Sequence, residues 1–216
     1  MPTFRPIIEQ YIRQMSEVST FFTRLVAESL DLPSTAFDKF FDADQQHKMK
    51  ILKYPDTSGK AQGVGPHKDS MLSSYLLQAS PHRGLQVQNT LGEWIDCPPV
   101  RGTLVVALGQ GLEALTDGVC ASTTHRVLSP AAGSGARYSI AFFQGVSFDA
   151  EFESMEVPES VKALKSQTWR AADVEFTYAK GRWDHLGEAL LFNRVKSHPD
   201  VGERWYPEIL QQIRAN

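Results

Sequence analysis

The chain has 216 residues, 42% of them hydrophobic, with 22 basic and 25 acidic side chains and a formal charge of -3. That is enough apolar material for one sizeable core, and the even mixture of charges argues against a nucleic-acid or anionic-membrane surface. Two cysteines, Cys97 and Cys120, are too few for a disulfide framework and match no zinc spacing, so reduced thiols in a cytoplasmic setting are expected. No secretory leader and no run of ~18 apolar residues is evident.

Apolar residues at Ile7, Ile8, Tyr11, Ile12, Met15, Val18, Phe22, Leu25, Val26 and Leu30 recur in steps of three and four. This predicts a helix over 7–30 whose apolar stripe packs against a sheet. Pro33 ends it near Asp31, and Ser34 or Thr35 caps a short helix through Phe41. Met49 to Pro55 reads as a strand stopped by proline, and 56–66, rich in Gly, Ser and Pro, reads as a loop. Short strands are expected at 73–78, 84–88, 93–96, 103–108, 121–128 and 137–144, with a helical turn at 111–116. Turn chemistry such as Pro81-His82-Arg83-Gly84 and Pro98-Pro99 bounds them. Helical spacing returns over 158–169 and 186–195, and the tail around Trp205 to Leu210 adds a last short helix. The fold class is therefore mainly β with flanking α: a jelly roll, or double-stranded β-helix, between N- and C-terminal helices. One domain is expected, with helical support over 1–46, the roll over 47–150 and helices over 151–216.

His67 and Asp69 are two apart, so an extended strand turns both side chains to one face. His125 lies late on a later strand, where a folded-back roll returns it to the same pocket. Two histidines and one carboxylate meeting at a point form the facial triad that holds non-haem Fe(II) and leaves positions open. Arg137 and Ser139 also share a strand face. A guanidinium fork beside a hydroxyl suits a carboxylate held deep in the roll; an edge-strand salt bridge is the plainer alternative. His47, His82, His185 and His198 read as ordinary surface or core histidines. Lys68 is expected on the opposite face from the candidate ligands, near solvent. Trp94 and Phe143 read as core, Met71, Ser73 and Gln78 as candidates for a pocket wall, and 129–135 as a flexible rim. Gly109-Gln110-Gly111 lacks the lysine and the helix that a phosphate loop needs.

From Ile51 to Gly145 the chain resembles the isopenicillin N synthase-like branch of the 2-oxoglutarate/Fe(II) oxygenases. The resemblance rests on His67-Lys68-Asp69, Gly84-Leu85-Gln86-Val87, Glu93-Trp94-Ile95-Asp96-Cys97-Pro98-Pro99, Gly102-Thr103-Leu104-Val105-Val106, Leu115-Thr116-Asp117-Gly118, Thr124-His125-Arg126-Val127 and Arg137-Tyr138-Ser139. The segments 187–189 and 197–202 are similar to the tails of fungal members. What the resemblance implies is an enzyme of secondary metabolism. Fe(II) would be held by His67, Asp69 and His125, and the distal carboxylate of 2-oxoglutarate by Arg137 and Ser139 with help from Tyr54. O₂ would oxidise a small organic substrate by hydroxylation, desaturation or cyclisation, with release of succinate and CO₂. Two departures stand out: Leu52 replaces an asparagine usual in plant members, and the chain begins at the long helix, where the family carries a further N-terminal portion. Three alternatives stand beside this reading: an Fe(II) oxidase that does not use 2-oxoglutarate, a zinc hydrolase on the same three ligands, and a non-catalytic iron-binding remnant.

Overall fold

Eight short strands, most of them ended by glycine or proline, fold back on one another until two antiparallel sheets face each other. The computed structural model describes residues 2–41, 45–56, 62–151, 153–165, 178 and 185–215. One sheet has the order β1 (Lys48–Tyr54), β8 (Arg137–Gln144), β3 (Ser73–Gln78) and β6 (Val105–Leu108). The other has the order β2 (Gln62–His67), β7 (His125–Leu128), β4 (Leu85–Gln88) and β5 (Trp94–Asp96). This is the expected jelly roll.

Alternation along β8 sorts its side chains. Arg137, Ser139, Ala141 and Phe143 turn toward the facing sheet, while Phe142 turns outward and meets Tyr75 of β3 and Met15. The long helix α1 (Phe4–Ser29) covers that outer face. It does so with much of the expected apolar stripe, since Met15 and Leu30 are buried and Tyr11, Ile12, Phe22 and Val26 pack against the core, together with a row of small and polar residues beside it. The buried positions are Met15, Ser19, Thr23 and Ala27, whereas Val18, Phe21 and Leu25 stay exposed. The reason is a polar partner buried in the sheet. Gln144 donates from Nε2 to Thr23 Oγ1 at 2.8 Å and accepts the Tyr75 hydroxyl at 3.2 Å on Oε1. Hydroxyls that find such partners are buried with little net loss, and an apolar residue there would strand the amide.

Three further differences have local causes. The expected loop over 56–66 ends in a strand, β2, because β2 is an edge strand and tolerates Pro66 and two register shifts; residues 57–61 lie outside the described ones. The strand expected from residue 121 starts at His125. Of the helix expected over 158–169 only α3 (Glu159–Lys162) is seen, and 166–169 are outside the described residues. The helical turn is α2 (Gln110–Leu115), and a short 3₁₀ turn spans Asp38–Phe40. The C-terminal segment forms α4 (Leu186–Ser197), α5 (Pro199–Trp205) and α6 (Pro207–Ala215), the last two opening on proline, which fits the first helical turn. Leu112 and Leu115 of α2, Leu186 and Leu190 of α4 and Ala27 of α1 share one buried cluster, which ties the C-terminal helices to the roll. Among the described residues no helix is long and apolar enough to cross a membrane.

Candidate active site

His67 ends β2 and His125 begins β7, and the two are directly opposed in the ladder, with ring centroids 4.2 Å apart. Asp69 follows just beyond the strand. Its two carboxylate oxygens divide between the imidazoles: Oδ1 lies 3.6 Å from His67 Nε2 and Oδ2 lies 3.6 Å from His125 Nε2. One ligand atom from each of the three residues falls within 4.8 Å of the other two.

The hydrogen bonds set the tautomers. His67 Nδ1 faces Gly65 O at 2.8 Å and His125 Nδ1 faces Thr123 O at 3.0 Å. A carbonyl can only accept, so each Nδ1 carries the proton and each Nε2 turns a lone pair inward. Burial, reinforced by the neighbouring His125, holds the His67 imidazole below its ordinary pKa and so in the neutral, donor form. Asp69 is steered by Ser74, whose hydroxyl donates to Oδ2 at 2.5 Å. Its main chain is pinned as well, since Gln110 N donates to Asp69 O at 2.8 Å. Here Gly109-Gln110-Gly111 shows its use. A side chain at Gly109 would collide with the carbonyl of Met71, so glycine lets α2 abut the Asp69 loop. Two imidazole nitrogens and one carboxylate, each oriented by a second group, form a donor set that fits a divalent non-haem iron.

Lys68 does turn to the opposite face, but not to solvent. Its ammonium pairs with Glu113 at 3.4 Å, and the two side chains are 10% and 3% exposed. Glu113 also accepts the Ser122 N–H at 3.0 Å and the Ser122 hydroxyl. The residue between the two candidate ligands is thus bolted to α2, through a carboxylate that sequence spacing did not single out.

A cavity of about 330 Å³ opens between the sheets beside these three residues. Leu52, Val64, Leu76, Leu85 and Val127 give it apolar walls, and Met71 and Phe143 also face it. Phe143 was expected in the core. It packs against two core clusters and also stands at the end of the cavity-facing row of β8. Ser73 and Gln78 do not line the cavity, whereas His198, read as an ordinary histidine, does.

At one end of the cavity Tyr54 opposes Arg137 and Leu52 opposes Ser139 in the β1–β8 ladder. Arg137 is 1% exposed, and Ser139 and Tyr54 are buried beside it. Gln78 Oε1 accepts a hydrogen bond from Arg137 Nη2 at 3.0 Å, and its own amide nitrogen donates to Cys97 O at 3.1 Å, which settles the orientation of the amide. The Tyr54 ring lies 5.1 Å from the guanidinium carbon. Burial lowers the pKa of Arg137 and raises that of the Tyr54 phenol, while each group opposes the other's shift. Arg137 Nε and Nη1 are buried and find no partner among the described residues. No carboxylate forms an ion pair with the guanidinium, which leaves the edge-strand salt bridge without a partner among them. A buried charge with two idle donors is costly unless an anion completes it.

A double-stranded β-helix with a two-histidine, one-carboxylate cluster between its sheets is the architecture of the non-haem iron oxygenases. The comparisons narrow this further. The 2OG-Fe(II) oxygenase superfamily profile matches residues 45–146. Over 99% of its length the chain is 68% identical to the 2-oxoglutarate-dependent dioxygenase frbJ of Dothideomycetidae sp., of which it covers 61%. A 2OG-Fe(II) oxygenase family protein of Caulobacter crescentus superposes with TM-score 0.71 at 25% identity, covering 91% of this chain and 60% of that one. The dioxygenase for auxin oxidation 1 of Arabidopsis thaliana, solved with 2-oxoglutarate, gives TM-score 0.62 at 27% identity over 69% of this chain and 55% of its own. The chain belongs to the 2OG-Fe(II) oxygenase superfamily and spans less than two thirds of the length of each of these relatives.

Proposed function

We propose that this chain carries the active site of a 2-oxoglutarate- and Fe(II)-dependent oxygenase that oxidises a small organic molecule, with release of succinate and CO₂. His67 Nε2, His125 Nε2 and the Asp69 carboxylate would hold the iron. Arg137 and Ser139 would take the distal carboxylate of 2-oxoglutarate, with Tyr54 beside them. The observation that carries this reading is Arg137: a guanidinium 1% exposed, with Nε and Nη1 unpartnered, at the end of the cavity that also holds the three candidate ligands.

Held by His67, Asp69 and His125, the iron would supply the redox chemistry by which O₂ and 2-oxoglutarate are consumed and the substrate is oxidised. The chain's own part is positional. Arg137 binds the co-substrate as a fixed cation in a site from which the apolar walls exclude water, which strengthens a charge-assisted hydrogen bond. Gln78 keeps the guanidinium aimed and Ser139 adds one hydroxyl donor. Gly65, Thr123 and Ser74 hold the triad so that no ligand has to reorganise. Cys97 and Cys120 form no disulfide, and burial raises the pKa of both thiols.

The test is anaerobic titration of the protein with Fe(II) and then 2-oxoglutarate, following the weak visible charge-transfer absorption of a chelated keto acid. Wild type should develop the band, His125→Ala should abolish it, and Arg137→Ala should require ~100-fold more 2-oxoglutarate, the loss of a bidentate charged contact. Iron binding without a band would refute the 2-oxoglutarate assignment. A band that persists in His125→Ala would refute the metal site.

A further inference from the structure

The cavity continues past the triad to an end that the oxygenase chemistry leaves unused. Residues of β1 alternate, so Lys48, Lys50, Leu52 and Tyr54 share the cavity face, opposite Phe143, Ala141, Ser139 and Arg137 of β8. Tyr54 marks the arginine end. Lys50 stands near enough to His67 for its charge to act on the imidazole, and Lys48 lies two residues further out. At ~3.3 Å per residue, Lys48 is ~20 Å along the strand from Tyr54, beyond the span of a five-carbon diacid anchored on Arg137. There α4 comes over the cavity and adds Arg194 to the same wall. Burial and the charges of Arg194 and Lys50 all press on the Lys48 ammonium.

An exposed lysine is ordinarily part of a solvated face. These three differ in what surrounds them. They converge from two elements far apart in sequence, and among the described residues none of the three makes a salt bridge. Lys50 instead lies 5.7 Å from the Phe143 ring, which holds it at the cavity wall. Among the described lining residues Asp69 is the only carboxylate. Charge balance then decides. With divalent iron and dianionic 2-oxoglutarate in place, Asp69 and Arg137 bring the loaded centre to formal neutrality. Lys48, Lys50 and Arg194 remain as positive charges that no described residue offsets with a salt bridge, in a partly desolvated site where like charges repel.

We infer that the substrate is an anion, and that Lys48, Lys50 and Arg194 grip its carboxylate or phosphate while the apolar part lies over the triad. This rests on the oxygenase reading and names the substrate class of that site. The arrangement makes the two anionic ligands non-interchangeable. Arg137 is enclosed and matched to one carboxylate, whereas the outer cations are spread along a rim and accept a bulkier charged group.

The probes are phenylacetate, phenyl phosphate and the neutral isostere phenylacetamide, compared by ligand-observed NMR. The protein carries Zn(II) in place of iron, with saturating 2-oxoglutarate to occupy the Arg137 end. Wild type should bind at least one of the two anions ~10-fold or more tightly than the amide, as charge-assisted contacts predict. The preference should fall to near unity in Lys48→Gln/Arg194→Gln and survive in Lys48→Arg/Arg194→Lys. Whichever anion shows the larger preference identifies the group as carboxylate or phosphate. Equal binding of anions and amide by wild type, or a preference that survives neutralisation, overturns the inference. The keto-acid band of wild type separates the two readings. A band without anion preference removes the anion site alone, whereas an anion preference without a band removes the oxygenase assignment.

Discussion

On the readings proposed above, the two ends of the cavity would each hold an anion, by opposite means. At the inner end one guanidinium is buried between the sheets, aimed by Gln78, flanked by Tyr54 and Ser139, and left with two idle donors. At the outer end three cations stand along β1 and α4, two of them exposed and none of the three with a salt-bridge partner among the described residues. The inner end is built by strand register: a shift of one residue between β1 and β8 would turn Arg137 or Tyr54 out of the cavity. The outer end takes Lys48 and Lys50 from the same strand and only Arg194 from α4, so its helical part can be altered without disturbing the sheet. Rigid placement suits a co-substrate shared by a whole family, and a rim completed by a separate element suits the part of the reaction that changes between members.

Arg137→Met tests the inner end and should give the largest effect. It should weaken 2-oxoglutarate by ~100-fold or more. It should also stabilise the protein without co-substrate, by about 1–3 kcal/mol, because a buried charge lacking an ion-pair partner is replaced by apolar volume. Urea denaturation with and without 2-oxoglutarate measures both effects. A destabilised Arg137→Met protein would show that the guanidinium is already satisfied without its ligand. Next in size is Ser74→Ala, which leaves the three ligands in place but frees Asp69 Oδ2 from its 2.5 Å hydrogen bond. Loss of such an outer partner costs ~10–100-fold in metal affinity, to be read by competition with a metallochromic indicator, and an unchanged affinity would leave Ser74 a packing residue. Gln78→Leu should be milder, ~10-fold in 2-oxoglutarate affinity with metal binding untouched, since it removes the residue that aims Arg137 and none of the contacts to the ligand.

The sequence carried the inner end almost whole, and the reason is periodicity. His67 with Asp69, and Arg137 with Ser139, are pairs at spacing two; β8 turns that spacing into a shared face for the second pair, whereas Asp69 lies just past the end of β2 and meets His67 from the following segment. Tyr54 needed the family resemblance. The same spacing runs from Tyr54 back through Leu52 and Lys50 to Lys48, so the lysines were legible as strand neighbours of a candidate residue. Arg194 was not, because placing it over the cavity depends on how α4 docks, and helix docking is set by packing far from the residue itself. Ser74, Gln78 and Glu113 act through contacts across 5, 59 and 45 residues with Asp69, Arg137 and Lys68, and no local pattern encodes those pairings. The apolar stripe of α1 gave only part of the buried face, for a related reason. Helical period reports which side chains share a face, and the buried Gln144 on the sheet decided which face went in.

The smallest predicted effect concerns a histidine that belongs to neither end and tests whether the sheet that carries Arg137 is itself sensitive to acid. His47 Nδ1 accepts the Gly145 N–H at 3.1 Å, and its ring lies 5.1 Å from that of Phe142, at the end of β8 opposite Arg137. Burial lowers its pKa below the ordinary imidazole value. The folded protein therefore binds fewer protons at this site than the unfolded chain. Stability should be intact above pH ~6.5, the ordinary imidazole value, and decline as pH falls from there through the lowered folded value, where protonation removes the acceptor of Gly145. His47→Gln keeps an acceptor and cannot titrate, so urea midpoints measured at mildly alkaline and mildly acidic pH should differ less in the variant than in wild type. Equal differences would mean that acid acts elsewhere, with His67 as the next group to test, because burial lowers its pKa as well. In that event the pH sensitivity would lie in the triad and iron loading should suppress it, whereas a sensitivity residing in His47 should persist in the loaded protein.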